Sequence, residues 1–62
     1  MESRFEVAGR VVDAKNAEHA VRLVLGRPSE GSSVVVTEWT GKITVFVARR
    51  KGRLEITEKG RI

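Results

Sequence analysis

Ser33-Val34-Val35-Val36-Thr37-Glu38-Trp39, then Thr40-Gly41, then Lys42-Ile43-Thr44-Val45-Phe46-Val47-Ala48-Arg49 run on without a break. Valine, isoleucine, threonine and aromatic residues fill both flanks, and such side chains pack well on a pleated surface. Thr40-Gly41 supplies a turn between them, because glycine reaches positive φ without steric cost. The segment is therefore predicted to be a β-hairpin. With Thr40-Gly41 as a two-residue loop, Trp39 faces Lys42, and Glu38 pairs with Ile43, Thr37 with Thr44, Val36 with Val45, Val35 with Phe46 and Val34 with Val47. This register assigns Val34, Val36, Ile43, Val45 and Val47 to the core. It assigns Val35, Thr37, Trp39, Lys42, Thr44, Phe46 and Ala48 to a second, open face.

C-terminal to the hairpin, Lys51-Gly52 reads as another turn. The alternation in Arg53-Leu54-Glu55-Ile56-Thr57-Glu58 predicts a further strand, with Arg50, Arg53, Glu55 and Thr57 extending the open face. On the N-terminal side, Arg27-Pro28-Ser29-Glu30-Gly31-Ser32 has no apolar residue and is rich in turn formers, so it is a surface loop. Before it, Ala17, Ala20, Val21, Val24 and Leu25 keep the spacing of one helical face. Asp13 or Asn16 can cap this helix, Gly26 with Pro28 can end it, and Glu18 and Arg22 lie one turn apart on its outer side. Phe5, Val7, Gly9 and Val11 alternate with Arg4, Glu6, Ala8 and Arg10, which predicts a strand over Arg4–Val12.

The expected fold is α+β: a single domain over 1–62, with one amphipathic helix packed on one face of a small, mainly antiparallel sheet, in the order β-α-β-β-β. With only one helix, the second face of the sheet has no cover from its own chain. A chain of 62 residues buries only about 60% of its unfolded surface and usually needs reinforcement. The chain contains no cysteine and one histidine. That excludes disulfides and a structural zinc site, and leaves association as the expected reinforcement. No metal or cofactor is expected.

The N-terminus lacks the basic head and apolar stretch of a secretory signal, and no apolar run approaches the roughly 20 residues that cross a bilayer. A cytoplasmic protein with no membrane role is expected. The absence of glutamine, the single asparagine and the wealth of Arg, Lys, Glu and Val suit a heat-adapted source.

The formal charge of +4 is unevenly placed. Residues 1–41 carry five Lys/Arg against six Asp/Glu, whereas residues 42–62 carry seven against two. Arg49, Arg50, Lys51 and Arg53 crowd one turn, where phosphate oxygens would relieve their repulsion and match the guanidinium forks. Alternatively they form a charged edge that discourages strand aggregation. On the open face, Trp39 and Phe46 among threonines, with Lys42 alongside, resemble the stacking platform of sheets that bind single-stranded nucleic acid. The competing reading makes Val35, Trp39 and Phe46 the apolar centre of a homodimer or another protein interface.

Catalytic chemistry is not expected. His19 falls on the polar face of the helix beside Glu18, without converging ligands or a nucleophile. Ser29, Ser32 and Ser33 have no base at a recognisable spacing. Gly26, Gly31 and Gly41 read as turn glycines outside any phosphate-loop pattern. Glu55 and Glu58 are expected on opposite faces of their strand, which is no arrangement for acid–base work.

The order of strand, helix (Asn16-Ala17-Glu18-His19-Ala20-Val21), loop and hairpin (Val34–Ala48) loosely resembles the small dimerising subunit of the archaeal KEOPS transfer-RNA modification complex. The likeness covers the first three quarters of the chain. That family ends in a helix, whereas Arg53–Ile62 reads here as a strand, and no site residue is carried over. The resemblance implies a dimerising or scaffold subunit of a larger assembly. The residues themselves point first to a small basic protein that binds DNA or RNA, with Arg49, Arg50, Lys51, Arg53 and Lys42 on phosphates and Trp39 and Phe46 on bases.

Overall fold

The computed structural model describes residues 2–61. It contains strands β1 (Ser3–Val7) and β2 (Arg10–Ala14), helix α1 (Ala17–Leu25), and strands β3 (Ser33–Glu38), β4 (Lys42–Ala48) and β5 (Leu54–Arg61). A 3-10 turn, Arg50–Gly52, joins β4 to β5. The strands form one antiparallel sheet in the order β2-β1-β3-β4-β5. The class is α+β, one helix on an antiparallel sheet. No helix of the described residues is long and apolar enough to cross a membrane.

The N-terminal stretch read as one strand, Arg4–Val12, is a tight hairpin. Ala8 and Gly9 have φ of 51° and 80°, the two positive values that a two-residue turn matched to strand twist requires. Phe5 then faces Val12 and Val7 faces Arg10, and the sheet has five strands.

The helix begins as its sequence suggests. Asn16 is the cap, its side-chain oxygen accepting from the His19 N–H at 2.8 Å, which satisfies one of the free donors of the first turn. His19 completes the cap with its Nδ1, which accepts from the Lys15 N–H at 3.1 Å. Glu18 and Arg22 pair at 3.4 Å on the solvent side. Gly26 ends the helix at φ 68°, its N–H donating to the Arg22 carbonyl.

The central hairpin is shifted by one residue from the expected register. The loop is Trp39-Thr40-Gly41, closed by Gly41 N–H on the Glu38 carbonyl at 2.8 Å, with Gly41 at φ 94°. This is the three-residue hairpin in which the last loop residue is left-handed. Val34 consequently pairs with Phe46, Val35 with Val45, Val36 with Thr44 and Thr37 with Ile43. A one-residue slip exchanges the faces of a whole strand. Thr44, Phe46 and Ala48 therefore point to the helix side and are buried, while Ile43, Val45 and Val47 lie half-buried on the other side.

The core is made of Phe5, Val7, Ala14, Ala20, Val21, Val34, Val36, Phe46, Ala48 and Leu54. Helix α1 lies over β2, β1 and β3. The opposite, outer face carries Arg4, Glu6, Val11 and Asp13 on the first hairpin, Val35 and Thr37 on β3, Ile43, Val45 and Val47 on β4, and Glu55 and Glu58 on β5.

Candidate nucleic-acid interface

The residues expected to form one surface are divided among three places. Phe46 is 3% exposed, in the core beneath the helix, so it is not available to stack a base. The cause is the three-residue loop, which turns Phe46 inward and puts Val45 in its place. Trp39 is 66% exposed, at the tip of the β3–β4 hairpin in a recess with Glu6, Val11 and Thr37. Lys42 starts β4 on the helix side and looks into a groove with Asn16, Ala17 and Thr44. The basic turn lies beyond the other end of β4, about 20 Å from Trp39 at the rise of a strand. Trp39 and the basic turn do not form one platform.

Arg49, Arg50 and Arg53 do come together. They line an open recess with Glu30, Gly31, Ala48 and Glu55. Arg49 spends its charge on Glu55, Nε to Oε2 at 3.1 Å. Arg50 is almost fully exposed and reaches the Glu30 carboxylate only at 3.9 Å. Lys51 and Arg53 have no carboxylate within ion-pair distance among the described residues. Backbone bonds fix the turn: Arg49 N–H donates to the Arg53 carbonyl at 2.7 Å and Arg53 N–H to the Arg50 carbonyl at 3.4 Å.

Two cations from elsewhere in the sequence reinforce this end. Arg22 donates from Nη2 to the Gly52 carbonyl at 3.1 Å, and the Arg27 side chain lies against Gly52, its Nε 3.0 Å from where a Cβ would stand. Gly52 has φ 73° and is buried, so a close side chain and a left-handed backbone both select glycine there. Neither arginine was distinguishable as part of this site by pattern, since the helix and its following loop meet the turn only through the fold.

The outer face has a different character. Val35 and Val11 are 54% and 52% exposed, with Ile43, Val45 and Val47 half-exposed alongside. Its charged border is mainly acidic. Arg4 is paired with Asp13 at 3.2 Å and Arg49 with Glu55, leaving Glu6 and Glu58 without a cation in ion-pair contact among the described residues. Glu55 and Glu58 were expected on opposite faces. A bulge between Val45 and Phe46 places one extra residue on β5, so Glu55 faces Val47, Glu58 faces Val45, and both carboxylates share the outer side. The inserted region is tied down by the Thr57 hydroxyl, which donates to the Val45 carbonyl at 3.2 Å.

His19 has a structural partner at the helix cap, and among the described residues no group of three or more His, Cys, Asp or Glu is placed to hold a metal ion. Comparison of the chain with protein-family models, with curated proteins and with solved structures returned no significant match.

Proposed function

We propose that the chain is a small non-catalytic protein that binds nucleic acid through the phosphate backbone, using the end of the molecule built around Arg50, Lys51 and Arg53. One observation carries this reading: three exposed cations within the four-residue stretch Arg50–Arg53 stand on a short, backbone-fixed turn with a single long carboxylate contact between them. Such a turn can offer guanidinium forks to phosphate oxygens without first breaking strong internal ion pairs. Arg27 adds positive charge behind the turn, and Arg22, itself paired with Glu18, anchors the turn through the Gly52 carbonyl. Base stacking by Phe46 forms no part of the proposal, and Trp39 lies too far away to share a short site with the turn.

Fluorescence anisotropy of labelled single- and double-stranded oligonucleotides, measured at two salt concentrations, tests the reading. Binding should weaken steeply with salt, because each neutralised phosphate releases counterions. The double variant Arg50→Glu/Arg53→Glu should reduce the salt slope by about 2 and lower affinity at least ten-fold. Absence of binding to either oligonucleotide at low salt would sink the proposal.

A second reading is favoured by the exposed valines of the outer face: a subunit that docks onto protein, as a homodimer or as the scaffold of a larger assembly, through the sheet and not through the terminal helix of the KEOPS subunit, whose place β5 takes here. A contiguous apolar patch with a charged border is what such interfaces present. The composition, free of glutamine and rich in arginine and glutamate, supports a heat-adapted source; an archaeal one is suggested by the loose resemblance alone.

A further inference from the structure

The helix covers only part of its side of the sheet. Helix α1 packs on β2, β1 and β3, which leaves the helix side of β4 and β5 as the floor of a groove with Asn16, Ala17 and Glu18 along its wall. The helix runs beside this floor from Asn16, near Lys42 and Thr44, to Arg22 at the Gly52 carbonyl. The groove therefore leads from the far ends of β4 and β5 to the basic turn.

The bulge in β5 decides which side chains line it. Strict alternation from Leu54 would put Glu58 and Gly60 on the helix side after Ile56. The extra residue sends Glu58 to the outer face and brings in Lys59, opposite Thr44, and Arg61, opposite Lys42. Lys42, Lys59 and Arg61 are all exposed, and among the described residues none has a carboxylate within ion-pair distance. Like charges facing each other across strands are destabilising. The carboxylates nearby are engaged elsewhere: Glu18 with Arg22 at 3.4 Å, Glu55 with Arg49 at 3.1 Å, and Glu38 with the Thr40 hydroxyl at 3.3 Å. An anion in the groove relieves the three cations. They stand some 20–25 Å along β5 from the basic turn, and between the two clusters the floor offers Ile56, apolar and 52% exposed.

We propose that the ligand is single-stranded nucleic acid, laid along the groove between α1 and β5, with its backbone held at the far end by Lys42, Lys59 and Arg61 and a base resting on Ile56. Two uncovered strands make a floor about 10 Å wide. The helix walls it on one side with a body about 10 Å across. A duplex, whose major groove alone is about 12 Å wide, is too broad to settle on that floor. A single strand fits, and its phosphates meet cations at both ends while its bases find an apolar middle.

This placement rests on the phosphate-binding reading given above for the class of its ligand, and one set of titrations separates the two. Fluorescence anisotropy is read at several salt concentrations with a labelled oligothymidylate of about 12 nucleotides, long enough to span both clusters at about 3.4 Å per nucleotide, and with a duplex of the same length. The single strand should bind more tightly than the duplex. Lys59→Ala/Arg61→Ala should keep the circular dichroism spectrum and lower the single-strand salt slope by about 1.4, at about 0.7 per lost phosphate contact. Arg4→Ala/Arg10→Ala makes the same change of charge on the first hairpin and should leave the slope unchanged. Ile56→Glu, which removes no cation, should weaken binding of the single strand. An unchanged slope in Lys59→Ala/Arg61→Ala, an equal loss in Arg4→Ala/Arg10→Ala, indifference to Ile56→Glu, or tighter binding of the duplex would each overturn the groove as the path. If Arg50→Glu/Arg53→Glu still lowers the slope in that case, the basic turn remains the phosphate site. Loss in Lys59→Ala/Arg61→Ala with none in Arg50→Glu/Arg53→Glu would overturn the turn and leave the groove standing. Absence of binding to both oligonucleotides at low salt would overturn both.

Discussion

Arg22 and Gly52 stand 30 residues apart in the chain, yet Arg22 Nη2 donates to the Gly52 carbonyl at 3.1 Å in a partly buried contact. This bond joins the last turn of α1 to the basic turn between β4 and β5, two segments that no strand ladder connects. The same guanidinium holds Glu18 at 3.4 Å, so one side chain stabilises the helix surface and orients the turn.

Arg22→Ala should lower stability by about 1 kcal/mol, less than is usual for a hydrogen bond to a charged group because the side chain is partly exposed. In a domain of this size that is a fall in Tm of about 4–8 °C. Thermal unfolding followed by circular dichroism measures it. Glu18→Ala should cost only a few tenths of a kcal/mol, and a larger loss in Glu18→Ala than in Arg22→Ala would contradict the assignment of the Gly52 contact as the stronger one.

Gly52→Ala should destabilise by about 1–2 kcal/mol, since a left-handed backbone disfavours any Cβ and this one would meet the Arg27 side chain at 3.0–3.4 Å. Lys51, at φ 64°, is the complementary case. Lys51→Gly removes strain from the folded state and adds freedom to the unfolded one, so stability should stay within about 0.5 kcal/mol of the parent. Urea titration of the two variants side by side distinguishes them, and equal losses would argue against the turn geometry.

Ala8→Asn should stabilise the protein by about 0.5–1 kcal/mol. Ala8 and Gly9 both have positive φ, and Asn-Gly is the preferred pair for such a turn. At the helix start, Asn16→Ala should cost about 1 kcal/mol through loss of the bond to the His19 N–H, while Asn16→Asp should keep it. Guanidinium unfolding of the three variants reads these signs directly. Destabilisation by Ala8→Asn would mean that residues 4–12 do not turn back on themselves.

The helix was legible because its apolar spacing, its asparagine cap and its glycine stop agree with one another. The presence of a hairpin over residues 33–48 was legible for a similar reason. Its register was not, because Ile43, Val45 and Val47 in one phase and Thr44, Phe46 and Ala48 in the other both make an acceptable inward set. Only the loop length decides between them, and Thr40-Gly41 suits a two-residue loop nearly as well as Trp39-Thr40-Gly41 suits a three-residue one. The turn at Ala8-Gly9 was hidden by alternation that continues through it from Phe5 to Val11. The candidate site inherited these shifts: the cations of the basic turn stayed together, being contiguous in sequence, whereas Phe46 was lost to the core. Arg22 and Arg27 joined the site through tertiary contacts alone.

Because that register decides which aromatic is free, it gives a direct comparison between Phe46 and Val35. Phe46 is buried among core residues, so Phe46→Ala should cost about 3–5 kcal/mol through lost burial and the cavity left behind, enough to unfold a large share of a domain this small. Val35→Thr, at a site 54% exposed in the single chain, should alter folding stability by less than about 0.5 kcal/mol when measured at concentrations where the chain is monomeric. In the register with Phe46 on the open face, the ranking would be weakened or reversed, because Phe46→Ala would then remove a surface side chain and leave the core intact. Chemical denaturation of both variants at low protein concentration therefore tests the three-residue loop at Trp39-Thr40-Gly41, and with it the exclusion of Phe46 from any nucleic-acid contact.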